Sequence, residues 1–433
     1  MPIGKTIGTL LAAMAGFLAV AAEVQPVTVC AARENAVYRS GEEIEFKIDA
    51  ASTEGLQYTV NSGGRDSARL PVSGNIIRVK AERPGFLLVK VFYSDAAGKK
   101  KVALGGAAVE PEAIRPGRPC PADFDAFWEK QLKELDRHPL KVVSLREIRA
   151  PRQPAGIRLY DVKLEQAGIV ATGFLAVPKD AAPHSLPAVA AFSGASKVSA
   201  EPPAAWGPAA RIPAICFNLN FQGLENLPAR DPARERELRK QLSPNYTIDF
   251  ADDPEQYAMR KICLRVVMAL NFLKSRPEFD GAHLVAQGGS LGGFQAMVGA
   301  ALVPEVTYCV ACASAMCNHH GAEAGHLPGF PNLLRRNPKA LDTAAYFDGV
   351  NFASRIRCPI VMAVGFVDTV CPPASTYSAY NMLTVKDRHM IHLPTCGHGG
   401  SVVPSRKANV FSCAGNYYIE HCRKRQKTDS PAR

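Results

Sequence analysis

Ser290 sits in Gly288-Gly289-Ser290-Leu291-Gly292, a Gly-x-Ser-x-Gly pentapeptide. A serine hydroxyl is a poor nucleophile at neutral pH; a base must take its proton and a carboxylate must orient that base. The flanking residues supply a fitting scaffold. His283 to Gln287 reads as a short buried strand and Gln295 to Leu302 as a helix, which puts the serine on a strand–turn–helix corner, a nucleophile elbow. Glycines two residues before and after it let the backbone pass without a Cβ clash. In such an arrangement the acid follows a later strand and the histidine comes last. Ile360 to Val364 is a buried-strand pattern, Gly365 ends it, and Asp368 stands in the turn beyond. Asp342, Asp348 and Asp387 directly follow no such strand. His398 comes after the next strand, in Gly397-His398-Gly399-Gly400, where glycines let a loop carry the imidazole back over the sheet edge. His389 and His392 within that strand, and His421 near the chain end, read as structural or solvated.

An oxyanion needs two preorganised N–H donors. The amide of Leu291, next after the nucleophile, is the first. The second is expected from Ser193-Gly194-Ala195-Ser196, which follows the strand-like run Ala188 to Phe192, with Ala195 as the donor. The other reading of this segment is a plain surface turn.

The elements that must position these groups fall into two patterns. From Val24 to about Ala108 short alternating runs dominate, such as Glu43 to Ile48, Asn75 to Lys80 and Leu88 to Tyr93. Turn signals such as Ser62-Gly63-Gly64 and Pro84-Gly85 separate them, which describes an immunoglobulin-like β-sandwich over residues 23–110. Residues 111–120 form a proline-rich linker. Over 121–425 helical and strand patterns alternate, as in an α/β-hydrolase with a mostly parallel sheet. Asp123 to Arg137 and Met259 to Lys274 read as helices, and Leu159 to Leu164 with Ala171 to Val177 as an antiparallel pair at the sheet edge. Ile212 to Leu219 reads as a further buried strand, and Val306 to Ala313 and His389 to Leu393 as the remaining strands. Residues 426–433 read as a disordered basic tail.

With 433 residues, 47% of them hydrophobic, the chain can bury a large core and form more than one domain. Residues 1–22 read as a cleaved secretory signal: Lys5, the apolar run Ile7 to Val20, then small residues at Ala19-Val20-Ala21-Ala22. No other segment approaches a membrane span, and an exported protein is expected. The formal charge of +11 comes without basic stripes interleaved with aromatics, so no nucleic-acid partner is expected. Twelve cysteines permit disulfides, but Cys216 and Cys358 lie in strand-like runs where a buried thiol fits better. Cys309, Cys312 and Cys317 with His319 and His320 invite a metal site. A strand would turn Cys309 and Cys312 to opposite faces, so no metal is expected.

From about Pro119 to Val403 the chain resembles the acetyl xylan esterase family that also contains cephalosporin-C deacetylases. Pro121-Ala122-Asp123-Phe124-Asp125-Ala126-Phe127-Trp128 resembles that family's N-terminal helix, and Gly288 to Gly293 its elbow. Tyr346-Phe347-Asp348-Gly349-Val350-Asn351-Phe352-Ala353, Gly365-Phe366-Val367-Asp368-Thr369-Val370-Cys371-Pro372-Pro373 and Gly397-His398-Gly399-Gly400 complete the match. The resemblance implies an α/β-hydrolase that removes acetyl groups from xylose units or small oligosaccharides, with Ser290 as nucleophile, Asp368 as acid and His398 as base. There are departures. The family's Arg-Gly-Gln-Gly turn is Asn220-Phe221-Gln222-Gly223 here, its His-Gly-Tyr loop is Ser193-Gly194-Ala195, and Leu291 stands where a glutamine is frequent. Gln222 is the single candidate for substrate contact.

The expected function is an exported serine carboxylesterase that deacetylates xylan or related oligosaccharides without metal or organic cofactor. An esterase or peptidase of other acyl specificity is the nearer alternative. A non-catalytic glycan-binding protein is the other, although the sandwich segment holds no tryptophan for sugar stacking. A packing or oligomer-spacer role is expected of that segment, and a homo-oligomer is left open.

Overall fold

The computed structural model describes residues 27–242 and 245–428. The expected secretory signal and residues 429–433 of the expected tail lie outside the described residues. The N-terminal unit consists of β1 (Thr28–Ala31), β2 (Val37–Tyr38), β3 (Glu43–Asp49), β4 (Gln57–Ser62), β5 (Arg65–Asp66), β6 (Leu70–Pro71), β7 (Ile76–Lys80), β8 (Gly85–Ser94) and β9 (Lys100–Val109). A three-stranded sheet, β1-β3-β7, faces a six-stranded sheet, β2-β9-β8-β4-β5 with β6 on β4. Alternation does the sorting: Ile44, Phe46 and Ile48 of β3 meet Leu87, Val89 and Val91 of β8 in one core. The opposite face of β8 carries Phe86, Leu88 and Lys90, all half-buried.

The second unit is built on a nine-stranded sheet of β10 (Lys141–Ile148), β11 (Ile157–Gln166), β12 (Ile169–Pro178), β13 (Leu186–Phe192), β14 (Ile215–Asn220), β15 (Phe279–Gly289), β16 (Tyr308–Cys312), β17 (Ile360–Gly365) and β18 (Arg388–Leu393), in the order β10-β11-β12-β14-β13-β15-β16-β17-β18. From β14 to β18 every pair is parallel; β12 pairs antiparallel with β14, β11 with β12 and β10 with β11. The helices are α1 (Phe124–Asp136), α2 (Pro202–Arg211), α3 (Pro232–Lys240), α4 (Ala258–Lys274), α5 (Leu291–Leu302), α6 (Leu333–Arg336), α7 (Gly349–Ala353), α8 (Pro373–Asn381) and α9 (Gly415–Thr428). Strands β13, β16 and β17 are buried along their whole length because helices cover both faces. α1, α4, α5 and α7 pack on one face, α2 and α9 on the other. Cys309 and Cys312 fall into these two separate cores, as strand alternation requires. All twelve cysteines are free thiols.

Two sequence expectations are corrected. The β11–β12 pair is not the sheet edge, because β10 adds outside β11. β10 is exposed along nearly its whole length, so it has no apolar alternation to reveal it. α9 runs to Thr428, into the segment expected to be tail. Tyr418, Ile419 and Cys422 lie on one helical face and pack into the second core, which anchors the helix. No helix among the described residues is long and apolar enough to cross a membrane.

The linker is docked along its length. Asn381 Nδ2 donates to Pro111 O and Ile114 O, both at 2.9 Å, and Gly117 N donates to Asn318 Oδ1 at 2.9 Å. The two units also share a small apolar core in which Ala36 and Ala108 meet Val364, Phe366 and Tyr377. Gly106 allows this approach, since a Cβ there would come within 2.7 Å of the Phe366 Cβ.

Candidate active site

Strand β15 ends at Gly289 and α5 starts at Leu291, leaving Ser290 at the corner with φ 57° and ψ −125°. A non-glycine residue at positive φ is strained and persists only where its surroundings fix it. Here Ser290 N donates to Cys312 O at 2.9 Å, and Ser290 O accepts from Gly293 N and Ala315 N, each at 3.0 Å. The flanking glycines have a direct cause. A Cβ on Gly292 would stand 2.1 Å from Phe192 O, and one on Gly288 2.3 Å from Gly292 O.

Asp368 follows β17 and His398 follows β18, adjacent strands whose C-terminal ends open on the same side as the elbow. The structure brings the three together. His398 Nε2 lies 3.0 Å from Ser290 Oγ, and His398 Nδ1 lies 2.8 Å from Asp368 Oδ2. The second carboxylate oxygen accepts from Val370 N at 2.8 Å and Cys371 N at 2.9 Å. An ionised carboxylate only accepts, so Nδ1 carries the proton and Nε2 is left to accept from the serine hydroxyl. Asp368 is 4% exposed, so its charge is held by these bonds rather than by solvent. The Phe411 ring stands edge-on to the imidazole, with centroids 5.2 Å apart.

No sequence pattern marks Cys371 as a neighbour of Ser290. Its thiol lies within hydrogen-bonding reach of Ser290, and burial, assisted by the charge of Asp368, pushes its pKa up. It is a neutral thiol at physiological pH and does not compete as a nucleophile.

The segment 193–196 flanks the elbow: a Cβ on Gly194 would lie 3.8 Å from the Ser290 Cβ. Its carbonyls are held by side chains from elsewhere in the fold. Tyr246 Oη donates to Ala195 O at 2.9 Å, Arg239 Nη2 to Ser196 O at 2.9 Å, and Gln295 Nε2 to Ser193 O at 3.1 Å. Ala195, Ser290, Val370, His398 and Phe411 line one pocket of about 460 Å³. Leu291 opens α5 beside it with a fully buried side chain. Such an arrangement can accept a proton from the serine and offer amides to a developing oxyanion.

Gln222 is not among the residues lining this pocket; it stands behind the loop, beside the Tyr246 hydroxyl. The altered turn that holds it is stitched by other groups. Asn220 Nδ2 donates to Val198 O at 3.2 Å and Leu224 O at 3.0 Å. Arg265 reaches Val170 O at 2.7 Å and Phe221 O at 3.0 Å, and its burial lowers its pKa to about 10. Asp348, His389 and His392 have structural work. Asp348 caps α7 and takes the Asn318 and His319 amides at 2.7 Å; His392 bonds Tyr377, and His389 stacks on Tyr417.

Solved structures share this fold. An acetyl xylan esterase from Paenibacillus sp. R4 superposes with a TM-score of 0.59 at 23% identity, covering 74% of this chain and 98% of that one. Acetyl Xylan Esterase 1 from Thermoanaerobacterium sp. gives 0.56 at 22% identity, covering 72% and 96%. The protein is a carboxylic ester hydrolase of the α/β-hydrolase fold. The profile of the acetyl xylan esterase family, AXE1, matches residues 110–411, and the chain belongs to that family. Acetyl esterase Axe7A of Xylanibacter ruminicola is 30% identical over 314 residues, which is 72% of this chain and 70% of that protein.

Proposed function

We propose that the chain is an exported serine esterase that removes acetyl groups from acetylated xylan or related oligosaccharides. The observation that carries this reading is the run of contacts from Asp368 through His398 to Ser290, 2.8 and 3.0 Å long, at a strained elbow. His398 Nε2 takes the Ser290 proton as Oγ attacks the acetyl carbonyl. The amides of Leu291 and Ala195 hold the tetrahedral oxyanion, and the Asp368 carboxylate stabilises the imidazolium. His398 then returns the proton to the departing sugar oxygen, leaving acetyl-Ser290. Water gives a proton to His398, attacks the acyl carbon and releases acetate, and the serine regains its hydrogen.

The names of the matched relatives support acetyl as the acyl group and xylan as the substrate class. A two-domain chain divided near residue 110, with an immunoglobulin-like N-terminal unit, is part of the same reading; the family match starting at 110 and the two facing sheets support it. Residues 1–22 support export by their sequence. The test is acetate release from acetylated xylo-oligosaccharides and from a neutral aryl acetate, with Ser290→Ala beside the parent. Release from both substrates, lost in the variant, is expected. Near-native turnover by Ser290→Ala would falsify the assignment, and cleavage of the aryl acetate alone would remove the xylan inference.

A further inference from the structure

A second cavity, of about 400 Å³, lies where the N-terminal unit meets the hydrolase, within the size range of small-molecule sites. It adjoins the catalytic pocket. In the turn after β17, Thr369 lines this groove while the next residue, Val370, lines the pocket around Ser290. From the N-terminal side the groove is walled by Leu88 and Lys90, which β8 turns away from its own core, and by Asn61 and Asp66.

The wall is rigid. Lys90 Nζ donates to both Asp66 carboxylate oxygens at 2.8 and 2.9 Å, Asn61 Nδ2 donates to Asp66 Oδ1 at 2.6 Å, and Gly64 N donates to Asn61 Oδ1 at 3.1 Å. The tip of the β4–β5 hairpin is pressed against the hydrolase. Gly63 and Gly64 have φ of 64° and 96°, and a Cβ on Gly63 would stand 2.3 Å from Gly325 O. Only glycine fits there.

The groove's charges are paired. Lys90 is matched by Asp66 and Asp368 by His398, while burial, with Arg83 nearby, holds His326 below the usual imidazole range. What remains is a set of fixed hydrogen-bonding groups beside the apolar surfaces of Phe86, Leu88, Leu327, Phe366 and Pro372, with no uncompensated charge. That chemistry suits a neutral polyhydroxylated ligand better than an anion or a cation.

We propose that this groove holds the unsubstituted sugar units adjoining the acetylated one, so that the N-terminal unit takes part in recognising an extended neutral oligosaccharide. The proposal rests on the esterase reading above and adds to it a preference for chains over small esters. Recognition here proceeds by hydrogen bonding and apolar contact, which an N-terminal unit without tryptophan supplies through Phe86 and Leu88.

The experiment compares kcat/KM on long acetylated xylo-oligosaccharides with kcat/KM on a neutral aryl acetate, in the full chain. Two variants are used: the charge-balanced double Asp66→Ala/Lys90→Ala, and Leu327→Arg at an exposed groove position. The expected result is a fall of about tenfold in the oligosaccharide-to-aryl ratio in both. A ratio that stays at the parental value in both variants, or an equal loss on both substrates, overturns the proposal while leaving the esterase reading standing. A parent that cleaves only the aryl acetate instead overturns the carbohydrate reading. The groove is then judged by calorimetric titration of Ser290→Ala with deacetylated xylo-oligosaccharide: binding that the double variant loses supports it, and no binding overturns it.

Discussion

The two halves of the candidate active site are held in different ways. Ser290, Asp368 and His398 each follow a parallel strand, and backbone groups fix the first two: Gly293 of the same turn at the serine, joined by Ala315 from the loop after the neighbouring strand β16, and Val370 and Cys371 of the same turn at the acid. The loop opposite, 193–196, is tied down by side chains from distant parts of the chain, Tyr246, Arg239 and Gln295. A group positioned by its own turn is a local property of sequence. One positioned by remote side chains exists only once the fold has closed.

The sharpest way to break this contrast is at the serine. Ser290→Ala is expected to lower kcat on an aryl acetate on the order of 10⁴- to 10⁶-fold with the circular dichroism spectrum unchanged. Asp368→Asn keeps the size of the side chain but favours the wrong imidazole tautomer. A loss of about 10³- to 10⁴-fold in kcat is expected, and a loss below tenfold would remove the acid from the proposed triad. Next comes the elbow's fit. Gly292→Ala drives a methyl into Phe192 O, and urea unfolding should show a destabilisation of roughly 2–4 kcal/mol.

The half built on loop 193–196 should respond more weakly. Tyr246→Phe removes one bond to the Ala195 carbonyl; about 1 kcal/mol of net hydrogen bonding corresponds to a fall in kcat of about fivefold with KM little changed. If KM rises while kcat holds, Tyr246 shapes substrate binding rather than the loop's donor. The smallest effect is at the thiols. Burial raises the pKa of Cys371, whereas the bond from Cys312 lowers that of the half-buried Cys413. A thiolate is the reactive form, so between pH 7 and 8 mass spectrometry should find iodoacetamide on Cys413 before Cys371.

The same contrast explains what the sequence made legible. The strand-then-turn pattern marked Ser290, Asp368 and His398, because each lies within a few residues of a strand: one with a buried apolar run before Ser290 and Asp368, and the partly buried Arg388–Leu393 before His398. The alternating strands Glu43–Asp49 and Gly85–Ser94 were equally plain. Lys141–Ile148 was not, because an exposed edge strand has no buried face to impose a period. Tyr246 and Arg239 carry no local signature either; only tertiary packing brings them to Ala195 and Ser196. Gln222 was singled out from a shortened motif, and its place behind the loop depends on Tyr246, which that motif does not contain. The docking of Gly63-Gly64 on the hydrolase was likewise invisible, since a glycine pair reads the same in a free hairpin.

Covalent trapping shows whether Ser290 is the nucleophile. The full chain would be treated with a serine-directed fluorophosphonate while aryl acetate turnover is followed, and the adduct located by peptide mapping. Loss of activity in step with one phosphonyl group per chain, on Ser290, is expected, with no such labelling in Ser290→Ala. Full turnover after saturating treatment, or inactivation with the label on any other residue, would contradict it.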